Sequence, residues 1–111
     1  VEPVGAPTLK TSIEKGRLVT LPVIDTEAFT LAPRKSAEIN LDIVRRNVDD
    51  IILVSDDEMR EAARWLWFEA GIAAELSGAA SLAALQAGRV GAPAESVVSA
   101  VVCGTGIAGL A

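Results

Sequence analysis

The apolar and polar positions in the first part of the chain predict one helix followed by extended chain. Residues 8–15 have helical spacing, with Thr8 as the N-cap and Gly16 as the C-terminal stop. Residues 18–24 are apolar and rich in β-branched side chains. Pro22 restricts this stretch to an edge strand or an extended connection, because proline cannot donate a ladder hydrogen bond.

A second helix is predicted from about Ser36, after a surface loop over residues 25–36. The helical period places three branched side chains on its inward face, namely Ile39, Ile43 and Val44. Arg45 and Arg46 follow near the end of this helix, where positive charge interacts favourably with the helix dipole.

The strongest local pattern begins at residues 51–54, a run of four apolar residues typical of a buried parallel strand. Ser55 and Glu58 then form the capping-box pattern that begins a helix, and Gly71 ends it. The side chains predicted to face inward from this helix are Met59, Ala62, Ala63, Leu66 and Ala70.

The last part of the chain predicts a helix capped by Ser77 and ended by Gly88, then a final buried strand over residues 97–103. Strands that alternate with helices indicate βα units with right-handed crossovers. The predicted fold class is therefore α/β, with mostly parallel strands and flanking helices.

Composition limits the size and the partners of this domain. The 111 residues suffice for one domain, in which half of the residues are hydrophobic and only 4% are aromatic. A core of Ala, Val, Leu and Ile suits helices packed on a sheet. The net charge of −5 argues against binding to nucleic acid or to an anionic membrane, since both need a surplus of Lys and Arg.

Some kinds of site are excluded by what these residues lack. Without histidine they cannot form a histidine-based triad or a histidine-ligated zinc site, and a single cysteine cannot form an internal disulfide. No apolar run approaches the ~20 residues that span a bilayer, and no signal sequence is recognised, so we expect a cytoplasmic location. The sequence begins with Val1 and not Met, and we expect further chain before it.

Residues 104–109 match the dinucleotide-binding pattern G-x-G-x-x-G after a predicted strand. Such a site needs a following helix to hold the pyrophosphate and an acid about 20 residues further on. The sequence has neither before Ala111. A turn that needs glycine is therefore the favoured interpretation.

Cys103 and Glu75 are the two side chains that the residue pattern singles out for chemistry. Cys103 ends the last predicted strand, where α/β proteins gather ligands; buried packing is favoured there over a nucleophile or a ligand contact. Glu75 lies in an apolar stretch between two predicted helices, where a carboxylate is costly unless it is paired or functional. A solvated loop carboxylate is an equally good interpretation of Glu75.

A group of acids surrounds the predicted strand at residues 51–54. Its members are Asp49, Asp50, Asp56, Asp57 and Glu58. A divalent cation is one interpretation, but three of these acids begin a predicted helix, where negative charge is expected in any case.

Trp65 and Trp67 are two positions apart on a predicted helix and therefore point to different sides. We expect at least one of them to contact another segment or subunit.

Six segments follow one another along nearly the whole chain in a familiar order. They are VEPVGAPTL at 1–9, LAPRK at 31–35, VDDIILVSD at 48–56, RWLW at 64–67, ELSGAASLAAL at 75–85 and VVCG at 101–104. Together they resemble the serine/threonine dehydratases, which are fold-type II pyridoxal-phosphate enzymes. The resemblance implies that residues 1–111 form a three-layer αβα piece, the C-terminal part of the large cofactor-binding domain, with the N-terminal catalytic part elsewhere.

The resemblance also implies site residues. In the family, the position of Cys103 faces the pyridine nitrogen of pyridoxal 5'-phosphate, that of Gly104 allows close backbone approach to the ring, and that of Glu75 lies near the cofactor. The carboxylate of Glu2 and the carbonyl of Ala6 match a site for a monovalent or divalent cation.

Thr8 is the third position of that cation site, and it stands where some relatives have an acid. No residue of this chain matches a catalytic residue, because the lysine that binds the cofactor and the glycine-rich phosphate loop lie N-terminal in the family. Alone, the chain is expected to be inactive.

The implied activity of the intact enzyme, which is expected to be a homodimer, is β-elimination from L-threonine or L-serine to give a 2-oxo acid and ammonia. Three places depart from the family pattern: Leu76 stands where the family has Pro, Thr105-Gly106 where it has a residue plus Asn, and Phe29-Thr30 where many relatives have Asp-Gly or a small pair. The ending Cys103-Gly104-Thr105-Gly106 is similar to that of threonine synthases. A threonine synthase and a non-catalytic module that kept the fold are therefore the alternatives.

Overall fold

The structure is a computed structural model that describes residues 1–110. Its helices and strands, in chain order, are β1 (Glu2–Pro3), α1 (Thr8–Lys15), α2 (Glu38–Asn47), β2 (Leu53–Val54), α3 (Asp56–Ala70) and α4 (Leu76–Gln86). Short 3-10 turns lie at Phe29–Leu31 and Ala108–Leu110. None of the helices in this part of the chain is long and apolar enough to cross a membrane.

The two strands pair in parallel, with Glu2 opposite Leu53 and Pro3 opposite Val54. Parallel neighbours need a long crossover, and here α1, the following loop and α2 supply it. The predicted α/β class with parallel strands and flanking helices is confirmed.

The core lies where α3 and α4 pack on β2. Val54 and Met59 are fully buried at its centre. Small side chains line the contact between the two helices and allow a close approach; they are Ala62, Ala63, Ala79, Ala80, Ala83 and Ala84. Trp65 and Trp67 lie on different sides of α3 and are 48% and 43% exposed.

The capping box at the start of α3 is confirmed. The Ser55 Oγ accepts from the Glu58 backbone N–H at 3.2 Å, and the Glu58 carboxylate accepts from the Ser55 N–H at 2.8 Å. The helix ends at Gly71, which adopts the left-handed conformation with φ 67°. Of the predicted inward side chains only Ala70 is wrong: it is exposed, because the last turn of α3 extends beyond the segments that cover its inner face.

Arg89, which follows α4, joins β2 to the start of α3. Its guanidinium donates to the Leu53 carbonyl at 2.9 Å and to both oxygens of the Glu58 carboxylate, at 2.5 and 3.0 Å. A bidentate arrangement of this kind is among the stronger surface ion pairs, because two parallel hydrogen bonds share the charge.

Two predicted N-caps are wrong. Thr8 is the first residue inside α1, and its hydroxyl donates to the Pro33 carbonyl at 2.5 Å. Ser77 is the second residue of α4; Glu75 is the N-cap, in extended conformation, and its carbonyl accepts from the Ala79 N–H at 3.1 Å. In both cases the side chain is of a type that caps helices, but the residue lies inside the first turn and not at the cap position.

The inward face predicted for α2 is also wrong in part. Ile39 and Ile43 are 68% and 50% exposed, whereas Leu41 is fully buried and Val44 is half-buried. The buried side of α2 is the one that faces α1, and the helical period alone does not say which apolar stripe that is.

The strand predicted over residues 97–103 does not form. Val97 is 97% exposed and Val101 is 72% exposed. A strand exists only where a neighbouring segment bonds to its edge, and no other segment of residues 1–110 lies in ladder register with this one. Residues 18–24 likewise run as an extended connection, with Leu21 buried, and residues 25–36 form the predicted loop.

We predict that Ser55→Ala lowers the free energy of unfolding by about 1 kcal/mol, because it removes the side-chain acceptor of the capping box. Ser77→Ala is the matched control and should change stability by less than about 0.5 kcal/mol, since Ser77 does not cap α4. Urea unfolding of both variants checks this. An equal loss in the two variants would contradict the positions of the helix starts.

We predict that part of the stability depends on pH through Glu58. Hydrogen bonds from Arg89 and from the Ser55 N–H hold the pKa of Glu58 below its ordinary value of 4.5. A carboxyl with a lowered pKa stabilises the fold above that value, and the contribution is lost as the pH falls through the folded-state pKa.

Glu58→Gln should therefore be less stable than wild type at about pH 7, and the difference should shrink at about pH 3. Arg89→Gln should remove much of the same pH-dependent difference, because Arg89 is the main cause of the lowered pKa. Denaturant midpoints at both pH values measure the effect. An equal difference in stability between wild type and Glu58→Gln at the two pH values would show that the charge of Glu58 does not stabilise the fold.

Candidate functional site

The segment at Cys103 and Gly104 lies directly against the start of α4. The Glu75 N–H donates to the Gly104 carbonyl at 2.9 Å, and Ala74 forms an isolated antiparallel bridge with Thr105. A Cβ added at Gly78 would lie 1.6 Å from the Cys103 carbonyl oxygen. Only glycine at position 78 therefore lets the two backbones approach this closely.

Glu75 and Gly104 are in contact through the glutamate side chain. Gly104 has φ 68°, a conformation that other residues rarely adopt, and a Cβ placed on it would lie 2.2 Å from the Glu75 Oε1. The Glu75 carboxylate thus occupies the space that a side chain at position 104 would need. The structure brings the three predicted cofactor contacts, Glu75, Cys103 and Gly104, to one place.

The Cys103 thiol is exposed, which contradicts the favoured interpretation of this residue as buried packing. Residues 97–103 do not form a strand within residues 1–110, so no sheet of this part of the chain covers the side chain. An exposed neutral thiol at a sharp backbone turn is available to a ligand, the interpretation that the residue pattern had placed second.

An open depression of about 380 Å³ lies beside Glu75. It is lined by Glu27, Ala28, Phe29, Thr30, Glu75, Leu76, Ser77 and Ala108. The Thr30 hydroxyl donates to the Glu75 Oε1 at 3.0 Å, so the 3-10 turn and the start of α4 meet through their side chains. Residue patterns did not select Thr30; the signal was the departure at Phe29-Thr30 from the Asp-Gly or small pair of many relatives.

The loop that carries Thr30 is held by the first turns of α3. Both oxygens of the Asp56 carboxylate accept hydrogen bonds, one from the Thr26 hydroxyl and the other from the Glu27 N–H at 2.7 Å. Arg60 pairs with the Glu27 carboxylate at 2.7 Å and with Asp57 at 2.9 Å. These bonds position the loop at the edge of the depression.

The predicted cation ligands Glu2, Ala6 and Thr8 lie together at the start of α1. The buried Glu2 carboxylate accepts from the backbone N–H groups of Leu9 at 2.8 Å and Lys10 at 3.0 Å, and so caps α1 from outside the helix. The Ala6 carbonyl accepts from the Thr8 N–H at 2.9 Å. The cation itself stays a prediction.

Four of the five acids around β2 have hydrogen-bond or ion-pair partners, namely Asp50, Asp56, Asp57 and Glu58. Three of them belong to the first turn of α3, where they bond to the loop, to Arg60 and to Arg89. Lys10 lies near Asp50, with its ammonium 3.8 Å from the carboxylate. Within residues 1–110, no three side chains of the types that bind metal ions are grouped closely enough to hold one.

The glycine-rich segment at residues 104–109 overlaps a three-residue 3-10 turn, Ala108–Leu110. A Cβ at Gly109 would lie 2.4 Å from the Ala63 Cβ, so this glycine allows the ending to pack on α3. The interpretation as a turn that needs glycine is consistent with this packing.

The residues around Cys103 fit one edge of a pyridoxal-phosphate site. They offer an exposed neutral thiol, a backbone turn free of side-chain bulk and a positioned carboxylate. No lysine lines the depression beside Glu75. Lys10 instead donates to the Ile51 carbonyl at 2.8 Å, and Lys15 and Lys35 are exposed. The covalent anchor of such a cofactor is therefore not among the residues that form this edge.

Comparison with known proteins gives amino-acid dehydratases and ammonia-lyases as relatives. Phenylserine dehydratase from Ralstonia pickettii is 35% identical over 105 residues, which are 95% of this chain and 32% of that protein. L-threonine ammonia-lyase from Geobacter sulfurreducens is 36% identical over 90 residues, 81% of this chain and 22% of that protein. The chain thus spans about a fifth to a third of the length of these relatives.

Solved structures of a threonine deaminase and of a serine racemase are also similar to this chain. Threonine deaminase from T.th. is similar with a TM-score of 0.73 and 33% identity, over 78% of this chain and 32% of that one. Maize serine racemase is similar with a TM-score of 0.71 and 35% identity, over 75% of this chain and 26% of that one.

A sequence model of one family, described as "Pyridoxal-phosphate dependent enzyme", matches residues 1–104. The match includes Glu75, Cys103 and Gly104, so it extends over the whole edge described above. The resemblance seen in the six segments is confirmed, and the chain belongs to the pyridoxal-phosphate-dependent enzymes of fold type II.

Proposed function

We propose that the protein to which residues 1–111 belong is an ammonia-lyase that converts L-threonine or L-serine into a 2-oxo acid and ammonia. The observation that carries the proposal is the contact of Glu75 with Gly104 beside the exposed Cys103, within a family match over residues 1–104. Relatives named as threonine dehydratases or ammonia-lyases, at 34–36% identity, support this reaction over others of the family.

We further propose that residues 1–111 form the C-terminal part of the large cofactor-binding domain of a cytoplasmic homodimer. The rest of the enzyme would supply the lysine that binds the cofactor and the loop that holds its phosphate. Support comes from the share of the relatives that the chain covers, about a third or less, and from the absence of lysine around the depression of residues 1–110.

The proposed role of Cys103 is to face the pyridine nitrogen of the cofactor. Pyridoxal phosphate, when bound, supplies an electron sink for the negative charge that develops at the substrate Cα. A neutral thiol donates or accepts a hydrogen bond but brings no charge, so it leaves the ring nitrogen unprotonated. This moderates the sink and suits loss of the β-hydroxyl over transamination.

The start of α4 would serve the same edge in two ways. Gly78 lets the Cys103 backbone lie on the helix, and Gly104 leaves the place of a side chain to the Glu75 carboxylate. The ring would approach the Gly104 backbone from a side that this carboxylate does not occupy. The Glu75 carboxylate contacts Gly104 and therefore places a charged group directly beside this turn. Together these residues would orient the ring and set its electrostatic surroundings.

A racemase is the second candidate, because maize serine racemase is similar over 75% of the chain at 35% identity. Both reactions begin with loss of the proton on the substrate Cα, and they differ in whether the β-hydroxyl leaves or a proton returns to the opposite face. Threonine synthase, the other enzyme considered from the sequence, would act on O-phosphohomoserine.

We predict that the intact protein, loaded with pyridoxal phosphate, releases ammonia and 2-oxo acid from L-threonine and L-serine. Parallel assays with O-phosphohomoserine and a chiral analysis of serine separate the lyase from the two other enzymes. Formation of threonine, or of D-serine without 2-oxo acid, would replace the proposed reaction by the corresponding alternative. No turnover of any of these substrates would indicate a non-catalytic module.

We predict that Cys103→Ser keeps most of the elimination activity, whereas Cys103→Asp lowers kcat by about tenfold or more, equivalent to ~1.4 kcal/mol in the activation barrier. The negative charge of a carboxylate at this position would stabilise the protonated form of the ring nitrogen, and a neutral hydroxyl would not. Steady-state kinetics together with the absorption spectrum of the bound cofactor measure both effects. Equal activity of the two variants would show that Cys103 does not face the ring nitrogen.

A further inference from the structure

Thr30 and Glu75 meet although 45 residues separate them in the chain. The Thr30 hydroxyl donates to the Glu75 Oε1 at 3.0 Å. The same Oε1 is the atom that lies against Gly104, where an added Cβ would come within 2.2 Å of it. One carboxylate oxygen therefore links the 3-10 turn to the backbone beside Cys103.

Glu75 has little freedom apart from the rotation of its side chain. Its N–H donates to the Gly104 carbonyl at 2.9 Å, and its carbonyl accepts the first hydrogen bond of α4 from Ala79. The side chain does not cap the helix, so no bond within α4 holds the carboxylate. The Thr30 hydroxyl supplies the side-chain hydrogen bond that orients it.

The turn that carries Thr30 is held in place by the core and by α3. The Leu31 N–H donates to the Ala28 carbonyl at 3.0 Å, and both of these side chains pack on the core formed by α3 and α4. The Asp56 carboxylate holds the two residues that precede Ala28, as described above. The hydroxyl of Thr30 is thus presented to Glu75 by an anchored turn, although the bond itself is exposed to solvent.

We propose that Thr30 is a positioning residue for the cofactor edge: its hydroxyl fixes the Glu75 carboxylate against Gly104 and so sets where negative charge stands beside the bound ring. The inference rests on the proposed function. A hydrogen bond to an ionised carboxylate is stronger than one between neutral groups, which makes a hydroxyl an effective restraint here.

The test uses the intact protein and the variants Thr30→Val and Thr30→Ser. Valine has the shape of threonine without its hydroxyl, whereas serine keeps the hydroxyl. Titration with pyridoxal phosphate should give a Kd about three- to tenfold higher for Thr30→Val and a shifted absorption spectrum of the bound cofactor. Thr30→Ser should restore both to within about twofold of wild type.

A double-variant cycle isolates the proposed contact from other effects. In a Glu75→Ala background the further change Thr30→Val should leave the Kd unchanged, because the partner of the hydroxyl is already absent. Thr20→Val, at an exposed threonine outside the depression, is the matched control and should bind the cofactor as wild type does. Unfolding midpoints of the cofactor-free proteins should not differ between Thr30→Val and Thr20→Val.

The possible results separate this inference from the proposed function. If wild type does not bind pyridoxal phosphate, the proposed function fails. If wild type binds it and Thr30→Val has the same Kd and spectrum, or if Thr30→Ser is as impaired as Thr30→Val, the role of Thr30 is wrong and the proposed function stands. An equal effect of Thr30→Val with and without Glu75 would also overturn the proposed contact.

Discussion

The site depends on the close approach of two backbones, that of Cys103 and Gly104 and that of the first turn of α4. This approach is possible only because position 78 has no side chain, since a Cβ there would overlap the Cys103 carbonyl oxygen. Gly104 then turns with positive φ and leaves its outer space to the Glu75 carboxylate. An alanine at position 78 would separate the turn from the helix and move the thiol and the carboxylate apart.

The helix pair beneath this contact supplies a rigid support. Alanines on both helices let α3 and α4 pack tightly, and the capping box with Arg89 ties the start of α3 to β2. The first turn of α3 has a second use, because Asp56 and Arg60 hold the loop that carries Thr30. Acids that could suggest a metal site thus hold the loop beside Glu75 in place.

Residue patterns predicted well wherever the deciding interactions are local. The capping box at Ser55 and Glu58, the end of α3 at Gly71 and the end of α1 at Gly16 all follow from contacts within a few residues. Residue patterns failed where a segment far away in the chain decides whether a helix or strand forms and where it starts. Ser77 has a good capping side chain, but the tie between Glu75 and Gly104 begins α4 two residues earlier. Residues 97–103 have strand composition, but no other segment of residues 1–110 pairs with them as a strand.

The sequence by itself determined the family and the α/β class, because short segments in a given order are properties of the chain alone. It also selected Glu75, Cys103 and Gly104 as candidate site residues. Only the tertiary structure decided that the Cys103 thiol is exposed, that the Glu2 carboxylate caps α1 and that Thr30 meets Glu75. These facts depend on contacts between residues far apart in the chain, up to 45 positions for Thr30 and Glu75. Such contacts are set by how whole helices and loops pack together, which a pattern read over a few neighbouring residues does not specify.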